Sequence, residues 1–203
     1  QVASLSDTQI AALKTAQVVG LTSDQVSALT VTQVAALTTA QASRLTSSQV
    51  ASLTTAQLAA METADLSSLT TASMAALSST QFAALSADQV AALRTSQFSA
   101  LNTGIISGLT TTQVVGLTSS QAAALTSAQA AVLSTAQVAA LEAGDFAKLS
   151  TAAVSSLTSD QLAALTNDQL GAMTSTQASK LTASQIGGFT TAQVASLGTA
   201  TVS

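Results

Sequence analysis

A large apolar residue recurs every eight positions from Leu5 to Leu197, and no octad breaks the register. The series begins Leu5, Leu13, Leu21 and closes Leu165, Met173, Leu181, Phe189, Leu197. A period of eight constrains this chain more than any other feature. In one unbroken α-helix, at about 100° per residue, the Leu stripe would rotate by roughly 80° per repeat and no face would stay apolar. In a strand, positions 1 and 6 of the octad have opposite parity and would point to opposite faces. The repeat also lacks a fixed Gly, Asn, Asp or Pro to turn a β-coil. Thr and Val favour strands, so a β-solenoid stands as the alternative.

With Leu at position 1, the unit reads Leu-Thr-Thr-Ala-Gln-Val-Ala-Ala, as in residues 53–60, where Leu58 takes the Val place. Thr at position 2 with Gln three residues later is a capping box: the hydroxyl accepts from the Gln N–H, and the Gln side chain accepts from the Thr N–H. Leu at position 1 and Val at position 6 then stand where a hydrophobic staple places its pair. Thr22, Gln25, Leu21 and Val26 show all four elements, and Thr46, Gln49, Leu45 and Val50 repeat them. Each octad therefore predicts its own short helix, entered through a β-region cap that bends the chain. Such a helix is unstable alone. It forms if successive units coil so that Leu and the position-6 residues share one core and Ala and Ser at positions 7 and 8 let neighbouring coils approach. The expected fold is all-α: a single solenoid over residues 1–203, one capped helix per octad. Position 8 admits Arg44, Lys148 and Lys180, which places it near solvent.

Composition supports packing and narrows the chemistry. The chain is 47% hydrophobic with 7% charged residues, too apolar and too weakly charged for a disordered segment. Its four aromatics, Phe82, Phe98, Phe146 and Phe189, all fall in apolar slots and are expected in the core. Cys, His, Trp, Tyr and Pro are absent, which removes thiol and imidazole chemistry and most metal ligands. No catalytic, cofactor-binding or metal-binding residue is expected, and no cofactor. The only paired acids are Glu62 with Asp65 and Glu142 with Asp145. They are read as solvent-facing replacements of Thr and Gln near a helix N-terminus, where negative charge is favourable. Asp7, Asp24, Asp88, Asp160 and Asp168 are isolated and lack an EF-hand pattern. Five scattered cations, Lys14, Arg44, Arg94, Lys148 and Lys180, form no phosphate-tracking stripe, so nucleic acid is not an expected partner. No apolar run reaches the ~18 residues of a membrane-spanning helix. Rows of Thr would suit ice binding only as a flat array, and position-2 Thr is committed to capping.

A second spacing of 80 residues relates Lys14 to Arg94, Glu62 to Glu142, Asp65 to Asp145, Asp88 to Asp168 and Gly108 to Gly188. Ser73 and Ala153 replace Gln at the same interval. Tandem duplication of a ten-octad block explains it. A superhelix closing a whole number of turns in ten octads would also place these residues on one edge.

The stretch Leu21 to Ala28 resembles the helix start of TAL-effector DNA-binding repeats, but their second helix, base-reading loop and basic residues are absent. The whole chain resembles the Leu-Thr-x-x-Gln-Val-x-Ala-Leu tracts of very large, repetitive secreted bacterial proteins labelled adhesin-like or haem-utilisation proteins. That resemblance implies an extracellular, fibrous or surface-attached role. A haem role has no His, Cys or Tyr to serve it, and only Met61, Met74 and Met173 remain. The chain opens inside a repeat at Gln1 and ends inside one at Ser203, as a segment of a longer array would. The expected function is a structural filament, sheath or stalk that self-associates head to tail. The alternative is an adhesin-type module whose solenoid groove holds a protein or glycan. An enzyme is not expected.

Overall fold

A computed structural model describes residues 2–200; Gln1 and Ser203, where the array was read as cut, lie outside the described residues. Among the described residues are 24 short α-helices after one 3-10 turn, and no strand, so the β-solenoid alternative is excluded. Most helices have four to six residues, and each begins two positions after its octad Leu, as in Ser23–Ser27, Ser47–Ser52 and Ser159–Ala163.

The local geometry follows from the cap. Thr22 lies at φ −72°, ψ 161°, and its hydroxyl accepts from the Gln25 N–H. The Gln25 Oε1 accepts from the Thr22 N–H at 2.9 Å. The same reciprocal pair opens the helices after Thr46, Thr54, Ser86, Thr158 and Thr166. Where the cap is Lys14, Arg94, Glu62 or Glu142, the cap residue's own side chain accepts no hydrogen bond, although Gln17 and Gln97 still accept from the Lys14 and Arg94 N–H groups. There the N–H at position 5 turns to the cap carbonyl instead, at 2.8 to 3.0 Å. Helices end without a left-handed residue: no described residue has positive φ. The chain leaves the helix through an extended residue at position 1, such as Leu53 at φ −62°, ψ 138°, followed by the extended cap. Two consecutive extended residues per octad make the bend, which is why the repeat needs no glycine. The helix Thr191–Ala200 departs from the rule, because it runs through Leu197 rather than stopping there.

Two compact units, residues 1–108 and 109–203, are built in this way. Within each, a helix packs on the helix three further along, and hydrogen bonds join residues 25 to 31 apart. One coil therefore holds between three and four octads, a quantity that no single octad encodes. From Leu29 to Met173 positions 1, 5 and 6 are buried, Gln81 alone being half-buried, while 2 and 4 are exposed. Val34, Leu58 and Leu66 in the first unit and Val138, Leu162 and Leu170 in the second are 0% exposed. Phe82, Phe98 and Phe146 are also enclosed, whereas Phe189 is half-buried. Each octad thus removes about two aliphatic side chains from water, at roughly 1.5–3 kcal/mol apiece. That packing supports helices too short to persist alone.

Candidate functional site

The repeated feature with chemical content is position 5. Sequence reasoning assigned its Gln to capping alone; the structure buries it and uses both ends of the amide. Gln49 is 2% exposed. Its Oε1 accepts from the Thr46 N–H at 2.9 Å. Its Nε2 donates to the carbonyls of Val18 and Leu21, both at 2.8 Å, 31 and 28 residues earlier. These belong to the C-terminal end of a helix one coil back, whose last carbonyls have no partner within that helix. One side chain therefore caps the start of its own helix and the end of another. Gln41 and Gln89 repeat the arrangement in the first unit, and Gln161 and Gln169 in the second. The signal was visible in the sequence as a Gln that Glu, an equally good capping partner, never replaces. Glu has no N–H to donate.

The ladder has breaks. Ser73 keeps part of it, since its hydroxyl donates to the Leu45 carbonyl at 3.1 Å, 28 residues back. Ile105 and Ala153 are buried at position 5 and offer no side-chain donor. Asp65 and Asp145 correct the sequence reading: they are 1% and 6% exposed, not solvent-facing. Position 5 faces the preceding coil whatever residue occupies it, so a carboxylate placed there is taken inside. Each finds a hydroxyl 26 residues earlier. Thr39 Oγ1 donates to Asp65 Oδ1 at 2.8 Å, and Ser119 Oγ donates to Asp145 Oδ1. Burial pushes the Asp65 carboxyl above its ordinary value; the Thr39 bond opposes this, and the Glu62 charge adds to it. Glu62 and Glu142 are exposed caps. Each acidic pair thus has one member in solvent and one inside.

The remaining expected positions fall where the repeat puts them. Arg44, Lys148 and Lys180 are exposed at position 8, and Asp24, Asp88, Asp160 and Asp168 are exposed in first helical turns. Asp7 accepts from Thr32 Oγ1 at 3.2 Å. Arg94 Nη2 donates to the Leu69 carbonyl at 2.8 Å, beside the Gln97 amide on the same oxygen. Met61, Met74 and Met173 are core residues at 3% exposure or less. Among the described residues, no three His, Cys, Asp or Glu side chains group as metal ligands would. An open cleft of about 570 Å³ lies between the helices Asn167–Ala172 and Thr191–Ala200, lined by Asn167, Asp168, Gly171, Ala195 and Ser196. Among the described residues, no helix is long and apolar enough to cross a membrane.

The sequence signature of a repeat family described as the ALTTAQ repeat matches residues 2–39, 58–95, 90–127 and 138–175. No curated protein matches the chain.

Proposed function

Because the chain belongs to the ALTTAQ repeat family, we propose that it is a structural element, a filament, sheath or stalk on the outside of a bacterial cell. The observation that carries this reading is the ladder at position 5. Hydrogen-bonding capacity that an enzyme would direct at a substrate is here spent between coils, by Gln41, Gln49, Gln57 and Gln89 in one unit and Gln161 and Gln169 in the other. Each coil supplies acceptors for the next, so length scales with repeat number and no octad is special. The protein works without a cofactor and is not an enzyme. Its resemblance to tracts of giant secreted bacterial proteins supports a position outside the cell.

The test has two parts. Antibody against the chain should label intact cells of its source as strongly as permeabilised ones; labelling only after permeabilisation removes the surface role. Electron microscopy of the purified chain should show uniform coiled assemblies built from short helices.

The binding-module reading draws on the cleft between Asn167–Ala172 and Thr191–Ala200, where Asn167, Asp168 and Ser196 offer polar groups suited to a glycan or peptide. A glycan array binding at micromolar affinity, lost on Asp168→Ala, would favour it over the filament.

A further inference from the structure

At Asp65 the ladder holds an acceptor where its neighbours hold a donor. Gln57 and Gln89 give their Nε2 to the carbonyls of Leu29 and Met61, 28 residues earlier, at 2.7 and 2.8 Å. The group at the same offset from Asp65 is the Leu37 carbonyl. A short side chain spans that offset, because Ser73 Oγ donates to the Leu45 carbonyl at 3.1 Å. Asp65 therefore stands within reach of the Leu37 carbonyl. Thr39, two residues beyond Leu37, holds it there by donating to Oδ1 at 2.8 Å. An ionised carboxylate has no hydrogen to give. It sets a negative oxygen against a carbonyl oxygen inside a packed interface, and that carbonyl loses the partner that Gln supplies elsewhere. A protonated carboxyl instead has the outline of a short side-chain amide, in which one side accepts and the other donates.

We propose that Asp65 is a proton-operated clasp between coils. With a proton from solvent on Oδ2, it donates to the Leu37 carbonyl while Oδ1 keeps the Thr39 bond, and the seam closes. Ionised, it leaves that carbonyl unserved, and the helices Thr39–Ala42 and Thr63–Ser68 part before the Gln-linked coil contacts of the first unit do. Burial favours the proton, lifting the carboxyl above its ordinary 3.8; the Thr39 bond opposes this and the Glu62 charge adds to it. The other charges on the elements packed there face elsewhere. Arg44, which follows Thr39–Ala42, and Asp88, on Ala87–Ala91, are exposed. Arg94 donates to the Leu69 carbonyl at the far end of Thr63–Ser68. The clasp is thus closed below the unfolded value and is released as pH rises through the higher folded value. It stands on this contact alone, whatever the surface role of the chain.

The experiment is amide hydrogen exchange of the full chain at about pH 3.5 and at pH 7, each rate being compared with the intrinsic rate at that pH. The amides of Ala42, Leu45, Leu66 and Leu69, all hydrogen-bonded, report on the seam. Those of Val90 and Leu93, beside the Gln89 rung, are the reference. At pH 7 the seam amides should be at least about tenfold less protected than the reference, and in acid the gap should close. Asp65→Asn has the shape of the protonated acid with its donor fixed, and should be protected alike at both pH values. Glu62→Gln, at an exposed cap, should move the wild-type transition to lower pH, and Thr39→Val should move it higher. A merely structural Asp65 would give neither shift. Should the chain unfold in acid, the comparison at pH 7 decides, and Asp65→Asn must then protect the seam at least about tenfold better than wild type. Seam amides as protected as the reference at pH 7, or an Asn variant that keeps the wild-type pH dependence, would overturn the clasp.

Discussion

Leu21 and Gln49 lie 28 residues apart in the chain and share a hydrogen bond of 2.8 Å, from the Gln49 side-chain amide to the Leu21 carbonyl. The bond joins the end of the five-residue helix Thr15–Val19 to the start of the six-residue helix Ser47–Ser52. Neither helix would persist alone, so the amide links two elements that need each other. Because the same link recurs along the ladder, coil packing and helix capping are one interaction seen from two ends.

Gln49→Ala should therefore cost more than Thr46→Ala. The Gln change leaves the Thr46 N–H and the Leu21 carbonyl without this partner inside a packed interface, and the Val18 carbonyl with only the Leu21 N–H. A loss of about 2–4 kcal/mol is expected. The Thr change removes one exposed cap acceptor, worth about 1 kcal/mol. Urea midpoints of the two variants check this; equal losses would show that the long-range half of the amide contributes nothing.

Asp65→Gln should stabilise the protein at pH 7. A Gln there meets the Glu62 N–H at one end and the carbonyls of Val34 and Leu37, 31 and 28 residues earlier, at the other, as its neighbours in the ladder do. Replacing a buried carboxylate with that donor should raise stability by about 1–3 kcal/mol. Denaturant titration at neutral pH is the measurement, and a neutral or negative change would mean the Thr39 bond to Asp65 outweighs the missing amide.

The Asp65 carboxyl should also impose a pH dependence of definite sign. Burial raises its value in the folded state above the ordinary 3.8, so the folded chain holds the proton to higher pH than the unfolded chain. Its contribution is fully present below the unfolded value and is lost as pH rises through the folded value, then stays level. Wild type minus Asp65→Asn should show a falling limb that begins near pH 3.8. A difference that rises over the same window would contradict the burial argument.

Leu58→Ala removes a side chain that is 0% exposed and should cost about 2–5 kcal/mol. Val31→Ala, at a position 43% exposed, should stay within about 0.5 kcal/mol. Thermal unfolding of both variants separates position 6 from position 3, and similar losses would mean the core does not follow the octad register.

Much of this was legible because capping is local. Thr22 and Gln25 are three residues apart, and their reciprocal bonds need nothing beyond one helical turn. The apolar register from Leu5 to Leu197 likewise declares which side chains go inside. The Asp65 environment was not legible. A carboxylate at an N-terminal helical position is equally at home in solvent, and only the coil carrying Thr39 makes that position interior. The Gln amide was half legible: its oxygen has a partner in its own octad, while its nitrogen has partners 28 to 31 residues away.

The sequence by itself determined the helical unit, its boundaries, and the division of positions into apolar and polar, since each rests on interactions within one turn. Tertiary structure alone decided how many octads make a coil, and so which carbonyls receive each Gln and which carboxylates are buried. That number depends on small backbone angles at the two extended residues of every octad, such as Leu53 and Thr54, accumulated over three to four repeats. It depends equally on how the side chains at positions 1 and 6 settle against the next coil. Neither quantity belongs to a residue type; both arise when coils meet.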